Sequence, residues 1–252
     1  MYRYLTNIYL DGYEDVATLE NPGDLVFSPD RKLICFSDLG SHTIRVFDLI
    51  KKEIRTVFGN KTYGAEDGES TYNTSLTFSG CSFAFPHGLV FSEDGNLVFV
   101  ADTNNHSIRC LDMQNQMCVT VVGMEHKKGT AGGSLKKALI SEPRGVARNS
   151  SGHLIVSSSS AIYNIDLDAN KATIIAGGEG TGYKDGRLDE SLFDHPDGLV
   201  CINNLIFVAD TYNHRIRVIS LEAEDCCVST YAVTFSRSVG NRRNGTSRWT
   251  LF

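Results

Sequence analysis

The residues best placed to do chemistry are Asp102, His106 and Arg109, spaced four and three apart in the run ADTNNHSIRC. An Asp can orient a His as a general base and an Arg can hold a carboxylate or phosphate, so one such set would point to acid–base catalysis. The set occurs three times, because Asp38, His42 and Arg45 repeat the spacing and so do Asp210, His214 and Arg217. A catalytic constellation occurs once per site, whereas a group that closes a structural unit recurs with the unit. The set therefore reads as structural, with the Asp bonding the turn it opens and the Arg neutralising the buried carboxylate.

The other reactive side chains point the same way. Seven Cys (35, 81, 110, 118, 201, 226 and 227) contain no C-x-x-C pair, which excludes a zinc ribbon or a thioredoxin-type motif. Cys110 and Cys118 lie symmetrically about a turn at Gln114 and could face each other, yet the repeat places Val46 and Val218 where Cys110 stands, so both read as small buried hydrophobes. Of seven His, three belong to the repeated set and His87, His126, His153 and His195 fall in turns or connectors. No catalytic, cofactor or metal-ligating cluster is assigned, and no cofactor is expected.

The elements that must position these residues follow from an internal repeat. Copies start at Pro22, Pro86, Pro143 and Pro196, giving periods of 64, 57 and 53 residues. The first two align without a gap, the fourth shortens its first turn, and the third loses three residues and with them the Asp/His/Arg set. Between the copies, Tyr9-Leu-Asp-Gly12 and Tyr183-Lys-Asp-Gly186 each end ten residues before a repeat Pro, and the Asp67-Gly68 connector carries an eight-residue insertion. Within each copy, short runs rich in β-branched and aromatic residues, such as Leu89–Phe91, Leu97–Ala101, Ile108–Leu111 and Val119–Val122, are separated by Gly/Asn/Asp clusters. They predict four antiparallel strands per copy, apolar on both faces, which only neighbouring copies can bury.

The pattern P-x-G-L-V … L-x-F-V-A-D-T-x-N-H-x-I-R, as it stands from Pro86 to Arg109 and from Pro196 to Arg217, resembles the NHL repeat family of β-propellers. The Y-x-D-G connectors resemble those of long-repeat NHL proteins, including ones in which the propeller follows a thioredoxin-like domain. The resemblance implies an all-β propeller over residues 1–232, with four four-stranded blades at about 22–59, 86–123, 143–177 and 196–232. Residues 233–252 hold four Arg, no acid and no repeat pattern, and are expected to be a disordered tail. Both ends look cut from a longer array, and four blades leave an incomplete, open propeller unless the chain closes as a four-bladed ring or associates with another copy through exposed blade edges.

Alternating strand direction puts the long connectors and the Asp-x-x-Asn-His loops on one face, where a partner would bind. The residues expected there are Tyr63, Tyr72, Asn104, His106, Tyr183, Asp185, Tyr212, His214 and Arg215. The connector 178–195 holds five acids and two bases, whereas 124–142 holds two acids and four Lys. Such mixed charge suits a protein or peptide better than a polyanion.

The net charge of −6 disfavours nucleic acid, and no membrane span or secretory leader is visible. A cytoplasmic chain is expected, with secretion left open by five Asn-x-Ser/Thr sequons at Asn60, Asn73, Asn105, Asn149 and Asn244. The function expected is a non-enzymatic interaction scaffold, as the resemblance implies. The alternatives it carries are a metal-dependent propeller hydrolase or lyase, and RNA binding through the same face.

Overall fold

The computed structural model describes residues 9–69, 80–124, 127–178, 180–221 and 226–233. Tyr72, the sequon at Asn73, His126 and residues 234–252 lie outside them.

The described residues form four five-stranded antiparallel sheets in a row, the blades of a β-propeller, and a separate two-stranded sheet of Thr130–Ala131 with Leu139–Ile140. Blade 1 runs Pro22–Phe27, Leu33–Asp38, Thr43–Asp48 and Glu53–Phe58, and blade 2 runs Pro86–Phe91, Leu97–Asp102, Ser107–Asp112 and Met117–Val122. Blade 3 is built from Val146–Arg148, Leu154–Ser157, Ala161–Asp166 and Lys171–Gly177, and blade 4 from Pro196–Ile202, Leu205–Asp210, Arg215–Ser220 and Cys227–Val233. Every blade gains a short fifth strand that the sequence pattern did not reveal. Gly12–Tyr13, Gly68–Glu69, Gly133–Ser134 and Gly186–Arg187, all from the connector preceding each blade, pair with that blade's last strand. The connector therefore clamps the outer edge of the blade it introduces, leaving that edge no longer open to further pairing.

Packing follows the repeat. Three apolar clusters form the core, one between blades 1 and 2 around Val46, Phe83 and Phe91, one between blades 2 and 3 around Phe99, Ile108 and Tyr163, and one between blades 3 and 4 around Ile155, Phe193 and Ile219. Alternate residues of each strand feed opposite clusters, as the period of two requires. The inner strands approach closely at the axis: the N–H of Gly88 donates to the carbonyl of Arg144 in the next blade at 2.7 Å, and a Cβ on Gly88 would stand 2.3 Å from that oxygen. This is what the Gly of P-x-G-L is for.

The cysteines illustrate the same alternation. Cys110 is opposite Val119 and Cys118 is opposite Leu111, so the two thiols point to opposite faces of blade 2 and into different clusters. The hairpin holds four loop residues rather than an odd number about Gln114, which shifts the register by one and removes the facing arrangement. Cys35, Cys81, Cys110, Cys118, Cys201 and Cys227 are free thiols.

Candidate functional site

Each member of the recurring set ties the loop after the second strand to the connector. In blade 2, Asp102 is fully buried and its carboxylate accepts from the N–H of Ala84 at 2.7 Å, from Asn105 Nδ2 at 2.7 Å and from Arg109 Nη1 at 2.8 Å. Burial pushes its carboxyl up to about 6, against the pull of the Arg109 guanidinium and the donated hydrogen bonds. Arg109, also fully buried, donates further to the carbonyls of Ser82 and Glu66 and reaches Asp67 Oδ1 at 2.9 Å. Asp67 is the Asp of the connector's Asp-Gly and also accepts from Thr120 on the last strand. One guanidinium thus joins two carboxylates and two backbone carbonyls from three parts of the blade.

The arrangement recurs. Arg45 lies between Asp38 at 3.1 Å and Asp11 at 2.9 Å and donates to the carbonyls of Thr18 and Leu10. Arg217 lies between Asp210 at 2.7 Å and Asp185 at 2.8 Å, with the carbonyls of Leu192 and Lys184. The Tyr of Y-x-D-G covers the outer side of the guanidinium: Tyr9 lies 5.3 Å from Arg45 and Tyr183 lies 5.0 Å from Arg217. Sequence reading placed Asp185 on a binding face, and the structure places it in this ion cluster. The connector Asp residues went unrecognised as the second carboxylate because they lie 34 and 42 residues from their Arg.

The His acts between blades. His42 Nδ1 accepts from the N–H of Phe85, and His106 Nδ1 accepts from the N–H of Glu142, each donor being the residue before the next blade's Pro. An accepting Nδ1 requires a neutral ring with its proton on Nε2. Burial holds His42 below the usual histidine range, while Glu20 works the other way. His106 is only 6% exposed, so this residue, expected on the binding face, belongs to the blade junction instead. At the third junction the backbone substitutes, with the carbonyl of Ser159 receiving the N–H of His195.

With these groups committed to the scaffold, the loop face still presents exposed aromatic side chains. Tyr63 is 56% exposed and meets His42 edge-on at 5.6 Å, and Phe85, which sequence reading missed, joins them at 39% exposure. Tyr212 is 57% exposed and stacks on His195 at 4.4 Å. Tyr183 lies under Arg215 at 3.9 Å, and Arg215 is anchored to the carbonyl of Asn213. Asn104 is exposed, its N–H bonded to the carbonyl of Ala84, and His214 is exposed at the close of its turn. Phe85 and His195 both have left-handed backbones, with φ of 54° and 46°, a conformation uncommon outside Gly and Asn and here fixed by the captured N–H. Asn105, within a sequon, is fully buried with Nδ2 donating to Gly64 and Asp102, so it offers no site for a glycan.

Among the described residues, no three His, Cys, Asp or Glu side chains gather in a metal-holding group, and no helix is long and apolar enough to cross a membrane.

Comparison with known proteins accords with this geometry. Residues 83–111 match the NHL repeat. The chain is 23% identical over 221 residues to the protein SUPPRESSOR OF QUENCHING 1, chloroplastic, of Arabidopsis thaliana, covering 83% of this chain and 20% of that protein. It is 34% identical over 108 residues to NHL repeat-containing protein 2 of Gallus gallus, covering 43% of this chain and 14% of that one. The chain therefore spans a fifth or less of the length of these curated relatives. A structural genomics protein of unknown function from Bacteroides thetaiotaomicron superposes with a TM-score of 0.62 at 17% identity, over 78% of this chain and 46% of that one. The matched segment contains Asp102, His106 and Arg109, the residues whose contacts close blade 2, so blade 2 carries the NHL repeat.

Proposed function

We propose that the chain is a non-enzymatic interaction scaffold that binds a protein or peptide through the loop-rich face of the propeller. The observation that carries this reading is the set of exposed aromatic side chains, Tyr63, Phe85 and Tyr212, held on a rigid base by ring contacts and captured backbone groups. Aromatic side chains of this kind bury large area at low entropic cost, which is why they anchor protein interfaces. The Asp and Arg groups of the Asp/His/Arg sets are fully buried, with the carboxylates and the guanidinium Nη atoms occupied by scaffold contacts, which argues against a reactive centre there.

The experiment is affinity capture with the full chain, comparing wild type with the combined variant Tyr63→Ala, Phe85→Ala, Tyr212→Ala. These side chains lie outside the three core clusters, so the variant keeps its melting temperature within a few degrees and loses partners that wild type retains reproducibly. An unchanged partner set with the fold intact contradicts the reading.

A further inference from the structure

The residue after the repeat Pro changes its chemistry from blade to blade. It is Gly23, His87, Arg144 and Asp197 in turn, whereas the Pro before it and an apolar pair beyond it are kept. A group that serves the blade recurs with the blade, as the Asp102 and Arg109 positions do. A charged set written once, at a position that repeats, has the distribution of a single site.

The fold brings these positions together at the propeller axis. The N–H of Gly88 donates to the carbonyl of Arg144 at 2.7 Å, and Ser157 Oγ, which accepts from the N–H of Gly145 at 2.8 Å, donates to the carbonyl of Asp197 at 2.6 Å. Blade 1 joins through a side chain, with Asp24 Oδ2 accepting from the N–H of Leu89 at 3.2 Å. These bonds run between consecutive blades, so the convergence of His87, Arg144 and Asp197 does not depend on what flanks blade 1 or blade 4. Each inner strand starts where a connector ends, which puts the meeting point at the axial mouth of the loop-rich face. A cavity of about 170 Å³ lies there, lined by these three side chains, Asp24 and the glycines of the repeat. A cavity of roughly 150 Å³ holds a benzene-sized molecule.

The charges around the cavity are spaced rather than tightly paired. Asp197 Oδ2 lies 3.5 Å from Arg144 Nη1 and Asp197 Oδ1 lies 3.7 Å from His87 Nδ1, whereas the buried Asp–Arg pairs that close the blades lie at 3.1, 2.8 and 2.7 Å. Among the described residues, the Arg144 guanidinium makes that one hydrogen bond, at the long limit of such contacts, although it carries five N–H donors. Donor capacity on Arg144 and acceptor capacity on Asp197 are left over side by side. A lone anion in the cavity would meet the carboxylates of Asp197 and Asp24, and a lone cation would meet the guanidinium. A ligand that carries both charges a few bonds apart satisfies each group.

We propose that the axial pocket binds a free α-amino acid as its zwitterion, with the carboxylate held by Arg144 and His87 and the ammonium by Asp197. The pocket shares no residue with the aromatic anchors Tyr63, Phe85 and Tyr212, so it binds whether or not those side chains take a partner.

The test is isothermal titration calorimetry of the 252-residue chain with the common free amino acids, and with acetate and methylammonium as the separate halves. The expected result is at least one amino acid bound with a Kd of about 1 mM or tighter, and at least about tenfold more tightly than either half. Arg144→Gln and Asp197→Asn should each weaken that binding about tenfold, since each removes a charge-assisted hydrogen bond to the ligand. Neither side chain makes a short internal ion pair, so circular dichroism melts should show both variants folded. The combined variant Tyr63→Ala, Phe85→Ala, Tyr212→Ala should bind the amino acid as wild type does, which separates failure of this site from failure of the partner face. No binding of any amino acid at about 10 mM, acetate bound as tightly as the best amino acid, or unchanged affinity in a folded Asp197→Asn overturns the proposal.

Discussion

Tyr163 occupies in blade 3 the place that Arg109 occupies in blade 2. Both are fully buried on the third strand, and the Tyr163 hydroxyl donates to the carbonyl of Leu139 at 3.0 Å where Arg109 Nη1 donates to the carbonyl of Ser82 at 2.8 Å. Both carbonyls lie four residues before the Pro of their blade. The two carboxylates are gone together with the guanidinium: Ser158 stands for Asp102, and Gly132 for Asp67. A buried charge without its partner is costly, so removing all three charges at once is the electrostatically consistent way to lose any of them. Blade 3 shows that the set serves closure, since a neutral side chain can fulfil the same connection.

The junction between blades 1 and 2 should depend on pH. Because burial lowers the folded pKa of His42, the unfolded chain binds the extra proton more readily. The stabilisation is fully present above the unfolded value of about 6.5 and is lost as pH falls towards the lowered folded value. Asp102, raised to about 6, acts in the opposite sense but equally in both chains, so thermal melts between pH 7.5 and 5 should show wild type losing melting temperature relative to His42→Asn as pH falls. An identical slope in the variant would remove His42 from the junction.

Gly123 ends blade 2 at φ 100°, and a Cβ there would stand 2.3 Å from the carbonyl oxygen of His106. Gly123→Ala should therefore cost about 1–3 kcal/mol from backbone strain alone. Gly198 has open space where its Cβ would be, and Gly198→Ala should stay within about 0.5 kcal/mol of wild type. Urea titrations of the two variants compare them directly, and equal midpoints would contradict the assignment.

Thiol reactivity should divide the cysteines by burial. Cys226 is exposed, whereas Cys35 and Cys110 are buried, which pushes their thiols up to about 12 and about 11. Under native conditions a maleimide reagent should label Cys226 and leave Cys35 and Cys110 until the chain unfolds. Peptide mapping that finds Cys35 labelled as fast as Cys226 would show that the blade 1–2 cluster is open.

What was legible in the sequence was whatever the repeat writes locally. The spacing of Asp102, His106 and Arg109, and the strand runs around them, placed the blades and the loops between them. The contacts that give those residues their purpose were not legible, because they join segments far apart: Arg109 to Asp67, Asp102 to the N–H of Ala84, His106 to the N–H of Glu142. Phe85 was missed for the same reason, since nothing local to it tells that a His from the preceding blade fixes its backbone. The absence of the set from blade 3 was visible, but its replacement by Tyr163 emerges only from strand register.

The most direct test of the closure account transplants the blade 3 solution into blade 2 and reads stability by urea unfolding. Arg109→Tyr alone leaves Asp102 buried without its cation and should cost about 3–5 kcal/mol. Adding Asp102→Ser and Asp67→Gly removes the stranded carboxylates, and the triple variant should recover most of that loss while retaining its bound partners. A triple variant no more stable than Arg109→Tyr, or one that stays folded but loses its partners, would contradict a purely structural role for the set.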